Sequence, residues 1–187
     1  MRRRDLIKGV AGSAAAWPFA ARAQSQEHVR RIAMLIALGA DNADAQAYRA
    51  AFLQALQQLG WTDGHNVRID ARWGASNPDR IRGYVAELAT LAPDMIFAIG
   101  PTTLGPLLQA TLGAVPIVFV TVPDPVGAGF VESLARLGGN ATGFTQFEYT
   151  LSGKWLELLK QIAPGVTRAM VLRDPALPDG VGQFAVI

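Results

Sequence analysis

From Arg30 onward, apolar and polar positions alternate in blocks. "RRIAMLIAL" (30–38) is a continuous apolar run after a basic pair, the pattern of a strand buried on both faces. "DNADAQAYRAAFLQALQQLG" predicts a helix: Asn42 or Asp44 can cap it, Tyr48, Phe52, Ala55, Leu56 and Leu59 fall on one face, and Gly60 ends it. "HNVRIDARW" alternates as a strand, and "NPDRIRGYVAELATL" predicts a capped helix with Pro78 in its first turn. "PDMIFAIG" is a strand, 101–112 a helix, "VPIVFVTV" a strand, 126–137 a short helix and "ATGFTQF" a strand.

Strand and helix thus alternate over about 120 residues, and short connections force parallel strands with right-handed crossovers. The expected fold class is α/β, a doubly wound parallel sheet. Ligands in such sheets bind outside the carboxyl ends of the strands, where helix N-termini offer free N–H groups. A chain of 187 residues has room for one such domain and a remnant, with too little left for a second complete one.

Charge changes the picture at the N-terminus. The net charge of +2 rests on Arg2, Arg3, Arg4, Lys8 and Arg22, all within the first 23 positions; the remainder carries 12 basic and 14 acidic residues, or −2. It has no Lys/Arg stripe of the kind that tracks phosphate backbones, so nucleic acid is excluded as a partner. Cysteine is absent, which removes disulfides, thiolate metal sites and thiol catalysis. "MRRRDLIKGVAGSAAAWPFAARAQ" has the layout of a cleavable export signal over 1–23: a charged start, a mild apolar stretch, Pro18, and small residues at Ala21 and Ala23 before Gln24. Arg3-Arg4-Asp5-Leu6-Ile7-Lys8 resembles the twin-arginine motif. The expectation is an exported protein cleaved between Ala23 and Gln24.

Four loops are candidates for chemistry. In "GADNAD", Asn42 can cap the next helix or meet a ligand. In "IGPTTLGP", Thr102 and Thr103 open a helix, and two hydroxyls beside free N–H donors suit an anionic oxygen as well as they suit capping. In "VTVPDPVGAGF", the flanking prolines hold Asp124 in place, either as a turn residue or as an acceptor for a ligand ammonium or hydroxyl. In "GFTQFEY", Thr145, Phe147 and Tyr149 leave the last strand, and an aromatic there can stack on a ligand or pack on the next helix.

The sequence carries no constellation that points to catalysis or a cofactor. Gly127-Ala128-Gly129 begins a G-x-G pattern, but Glu132 stands where a dinucleotide fingerprint needs a small residue. His28 and His65 lie in unpromising turns, with no H-E-x-x-H and no G-x-S-x-G.

Together, "RRIAMLIALG", "FLQALQQLGWTDGHNVRIDARW", "PDPVGAGFVESLARLGGNATGF" and "GKWLELLKQIAPGVTRAMVLRDPA" resemble the ABC-transporter substrate-binding family that includes tryptophan- and tyrosine-binding proteins. The W-x-x-G-x-N segment at 61–66 and the P-V-G-A-G to G-G-N-x-T-G segment are its most specific marks, with Leu137 where a proline is usual. The resemblance implies a type I periplasmic-binding-protein fold. In it, two α/β lobes close on a small solute, an amino acid among the candidates, and hand it to an ABC permease in the membrane. It implies a periplasmic location, no enzymatic activity and no cofactor or metal, and it makes the loops already chosen ligand-facing, with Thr102, Thr103 and Asp124 the best candidates beside Asn42, Thr145 and Phe147. On this reading 24–148 form the first lobe, and 149–187 begin a second, incomplete one with a helix at "LSGKWLELLKQIAP", a strand over 167–173 and a further helix at "VGQFAVI". The chain would then be a truncated form holding half of the site. A periplasmic ligand-sensing module and a small exported α/β enzyme are the alternatives.

Overall fold

The computed structural model describes residues 29–135, 139–174 and 177–187. The expected export signal, with Ala23 and Gln24, and His28 lie outside the described residues, as does Leu137. Five strands, β1 (Arg30–Ile36), β2 (Val67–Trp73), β3 (Met95–Ile99), β4 (Ile117–Val120) and β5 (Ala141–Phe144), form one sheet in the order β2-β1-β3-β4-β5. Every neighbouring pair is parallel. Helices α1 (Ala43–Gln58), α2 (Pro78–Thr90) and α3 (Leu104–Thr111) connect the first four strands, and α4 (Leu151–Ile162) and α5 (Pro178–Phe184) follow β5. The doubly wound sheet is the architecture the alternation predicts.

Side chains in a strand point alternately to the two faces of the sheet, and both faces are covered here. On β1, Ala33 and Leu35 join Ile96, Ala98, Ile117 and Phe119 in a core against α2 and α3. Ile32, Met34 and Ile36 join Phe97 and Ile99 in a second core against α1. There Phe52 of α1 stacks on Phe97 with ring centroids 4.3 Å apart.

The caps follow the sequence. Asn42 accepts a hydrogen bond from the Ala45 N–H at 3.0 Å, and Asn77 accepts from those of Asp79 and Arg80. The W-x-x-G-x-N turn is held by Asn66, whose Oδ1 accepts from Thr62 N at 2.7 Å while its Nδ2 donates to Gly60 O at 2.8 Å. The same turn folds over the outer edge of β2. Gly64 N donates to Val67 O at 2.8 Å, and Asp63 Oδ1 accepts from Ile69 N at 2.9 Å.

Three expectations are corrected. First, the apolar stripe of α1 is shorter than its sequence implies: Ala45 is buried and Phe52 and Leu56 pack on the core, but Leu59 is 76% exposed because it caps the helix where the chain turns away at Gly60. Second, residues 126–135 form turns and bends where a helix over 126–137 was expected. Asp124 (φ +36°) and Gly129 (φ +73°) are left-handed, outside the helical region, and Phe130 N bonds to Pro125 O at 2.8 Å instead. Third, residues 167–174 form no strand; Met170 and Leu172 are 88% and 89% exposed, and among the described residues no strand lies beside them to complete a ladder. The last helix also begins earlier than "VGQFAVI", at Pro178. Among the described residues no helix is long and apolar enough to cross a membrane.

Candidate functional site

The parallel strands aim their carboxyl ends at one edge, and the loops leaving that edge meet a cavity of about 950 Å³. It runs along the groove between α2 and α3, where Ile81 and Val85 face Gly105 and Gln109. Pro101 and Thr102 line it directly after β3; Gly127, Ala128 and Phe130 line it after β4, and Tyr149 after β5. Val181 and Gly182 of α5 lie against it, Gly182 close enough to the Tyr149 ring that a Cβ there would collide with it. The walls are mainly apolar with a few polar groups, the make-up of a small-molecule site.

Local geometry at the β3 end is set by close approach. Gly100 has φ +101°, and a Cβ there would stand 2.6 Å from the Ala37 Cβ of the neighbouring strand exit. This tight passage lets the chain leave the sheet and present Pro101 and Thr102 at the edge. Thr102 Oγ1 is buried and has no hydrogen-bond partner among the described residues. An unpaired buried hydroxyl carries a free-energy cost that a ligand oxygen could relieve.

The structure separates the six candidate ligand residues. Thr102 lines the large cavity. Thr103 beside it is fully buried, and its hydroxyl donates to Gly100 O at 2.8 Å, bracing the strand exit. Asn42 is engaged as the α1 cap. Asp124 has both carboxylate oxygens occupied, Oδ1 accepting from Gly127 N at 2.7 Å and Oδ2 from Tyr149 N at 3.1 Å. With Thr145 it lines a smaller adjoining cavity of about 320 Å³. Thr145 donates to Phe147 O at 3.2 Å, and the Phe147 ring meets Trp155 of α4 edge-on at 6.2 Å, the packing alternative for that aromatic.

Sequence reasoning missed the groove itself. Ile81 and Val85 are core residues of α2 as well as walls of the groove, and Phe130 sat in an expected helix. Tyr149 carried the one usable signal, an aromatic just past a strand end. His65 is exposed in its turn. Ser152 Oγ, at the start of α4, is a second buried hydroxyl without a hydrogen-bond partner among the described residues, but Ser152 does not line the cavity.

A parallel sheet covered on both faces, with a largely apolar cavity at its carboxyl edge, is a doubly wound α/β lobe, and its likeness to solved structures makes it a lobe of the type I periplasmic-binding-protein kind. The chain belongs to the ABC transporter substrate binding protein family, whose model matches residues 31–183. It is 31% identical over 124 residues to a tyrosine-binding protein of Clostridioides difficile, a match spanning 66% of this chain and 35% of that protein. Among solved structures it resembles a conserved domain protein of Vibrio cholerae (27% identity, TM-score 0.71, 84% of this chain and 52% of that one). It also resembles the ligand-free, open form of a substrate-binding protein with adhesive properties from Clostridium difficile (29% identity, TM-score 0.62, 84% and 52%). A Streptococcus pneumoniae domain in complex with L-Trp shares the fold at 21% identity and TM-score 0.69, over 83% of this chain and 51% of that one. The chain therefore spans about half the length of these structures and about a third of the curated relative.

Proposed function

We propose that this chain supplies one lobe of a solute receptor for an ABC uptake system, capturing a small solute at the carboxyl edge of its sheet and serving a membrane permease without catalysing a reaction. The observation that carries this reading is the 950 Å³ cavity bordered by Thr102 and Tyr149, in a chain of this family. A solute with an apolar or aromatic body would fill the groove between α2 and α3, and a hydrogen-bonding oxygen or nitrogen would satisfy the Thr102 hydroxyl. The tyrosine and tryptophan named for its relatives make aromatic amino acids the first solutes to try.

Two receptor lobes bury a ligand from both sides, so a single lobe forfeits contact area and binds more weakly. The test is thermal unfolding of the purified chain with L-tyrosine, L-tryptophan and other amino acids. A solute at 100 times its Kd raises stability by about 2.7 kcal/mol. A dose-dependent rise that Thr102→Val diminishes supports the reading; no rise with any solute up to millimolar concentration overturns it for this chain. Export belongs to the same proposal, and a mature N-terminus at Gln24 in the periplasmic fraction is the expected result.

A further inference from the structure

We propose that Asp124 is the positioning residue of the cavity, a clamp that binds the loops after β4 and β5 into one wall and so sets where Tyr149 and the 127–130 turn stand. The inference deepens the solute-site reading and rests on it for its functional half.

Four polar groups of this one residue are committed to those two loops. The carboxylate accepts from Gly127 N at 2.7 Å in its own loop and from Tyr149 N at 3.1 Å in the other. Its backbone N–H donates to Phe147 O at 2.9 Å across the same gap, and its carbonyl accepts from Ala128 N at 2.9 Å. Of the residues it holds, Gly127, Ala128 and Tyr149 line the large cavity, while Asp124 lines the smaller one. It therefore stands in the partition between the two.

The two donors it meets select aspartate among the residues that this backbone accepts. Asp124 has φ +36°, a left-handed conformation in which glycine, asparagine and aspartate are the residues best tolerated. An ionised carboxylate is acceptor-only and offers two oxygens to two N–H donors, whereas an asparagine side chain has one acceptor oxygen and a glycine none. Space is matched as well: a Cβ on residue 127 would stand 2.6 Å from Asp124 Oδ2. Pro123 and Pro125 contribute fixed φ values and no N–H groups, so neither competes for the carboxylate.

Amide hydrogen exchange on the whole chain, compared among wild type, Asp124→Asn and Asp124→Gly, tests the clamp directly. In Asp124→Asn one of the Gly127 and Tyr149 amides should exchange about tenfold faster or more, and in Asp124→Gly both should, with the amides of Met34 and Ala98 unchanged. Wild-type rates at both loop amides in Asp124→Gly overturn the proposal. If that variant does not fold, wild-type rates at both amides in Asp124→Asn overturn it equally. The functional half is read by L-tyrosine affinity at a temperature where all forms are folded. Affinity should fall from wild type to Asn to Gly, and equal affinities alongside deprotected amides would show that the clamp does not position the site. If wild type binds neither L-tyrosine nor L-tryptophan, the solute reading loses these ligands, and the exchange rates alone decide for or against the clamp.

Discussion

Residues 30–144 and residues 151–187 treat the same kinds of side chain in opposite ways. In the sheet, Leu35, Ile96 and Phe119 are enclosed by helices on one face while Met34, Ile36 and Ile99 are enclosed on the other. Beyond Tyr149, Trp155, Leu158, Ile162, Met170 and Leu172 are each at least half exposed. α4 is strongly amphipathic by sequence, yet only Ser152 within it is fully buried. The contrast teaches that an apolar pattern specifies an element and only a packed neighbour converts it into stability. The cavity lies on the well-packed side of this divide, with α5 touching it from the other.

Breaking the packed side should have the largest effect. Phe119→Ala removes a side chain at the centre of the α2/α3 core, and equilibrium urea unfolding should show a loss of about 3–5 kcal/mol. A loss under 1 kcal/mol would mean that this core is not what holds the sheet. Next, Asn66→Ala removes both side-chain bonds of the turn before β2 and should cost roughly 1–2 kcal/mol in the same measurement.

A smaller effect tests the surface of the same lobe. Arg72 donates from Nη2 to Glu87 Oε1 at 2.5 Å and from Nε to Oε2 at 3.1 Å, joining β2 to α2. This hydrogen-bonded pairing is the main cause that holds the Glu87 carboxyl below its ordinary range and Arg72 above its own. A lowered carboxyl adds stability above its unfolded value and loses it as pH falls through the folded one, while Arg72 stays protonated throughout. Wild type should therefore exceed Glu87→Gln slightly at neutral pH, and the gap should close in acid and shrink in high salt. A gap that widens in acid would refute the assignment. Smallest of all, Leu172→Ala on the exposed side should change stability by no more than about 0.5 kcal/mol. A large loss there would erase the contrast between the two regions.

Much of the fold was legible because its signals are local. β1 and β3 are continuous apolar runs that only a doubly covered strand accommodates, and Asn42 and Asn77 stand at helix starts with the chemistry a cap requires. The turn after β4 was not legible. "VGAGFVESL" has helical spacing, whereas Asp124 just before it has a positive φ and bonds to a loop some 25 residues away, neither of which local spacing reveals. The irregular stretch at 167–174 has a strand's composition, but a strand exists only where a partner pairs with it. At the site, Thr102 could be singled out because a hydroxyl at a strand exit has a definable job, and the structure puts it on the cavity wall. The groove beside it was hidden, since it depends on the gap between α2 and α3 and on apolar residues that look identical whether they fill a core or floor a cavity.

The turn at 61–66 does more than reverse the chain. By returning Gly64 N and Asp63 Oδ1 to the outward-facing groups of Val67 and Ile69, it occupies bonding positions that an incoming strand would need, while β5 at the far side ends the sheet in four residues. Both edges are thus guarded against pairing with a further strand, β2 by the Gly64 amide and the Asp63 carboxylate and β5 by its shortness.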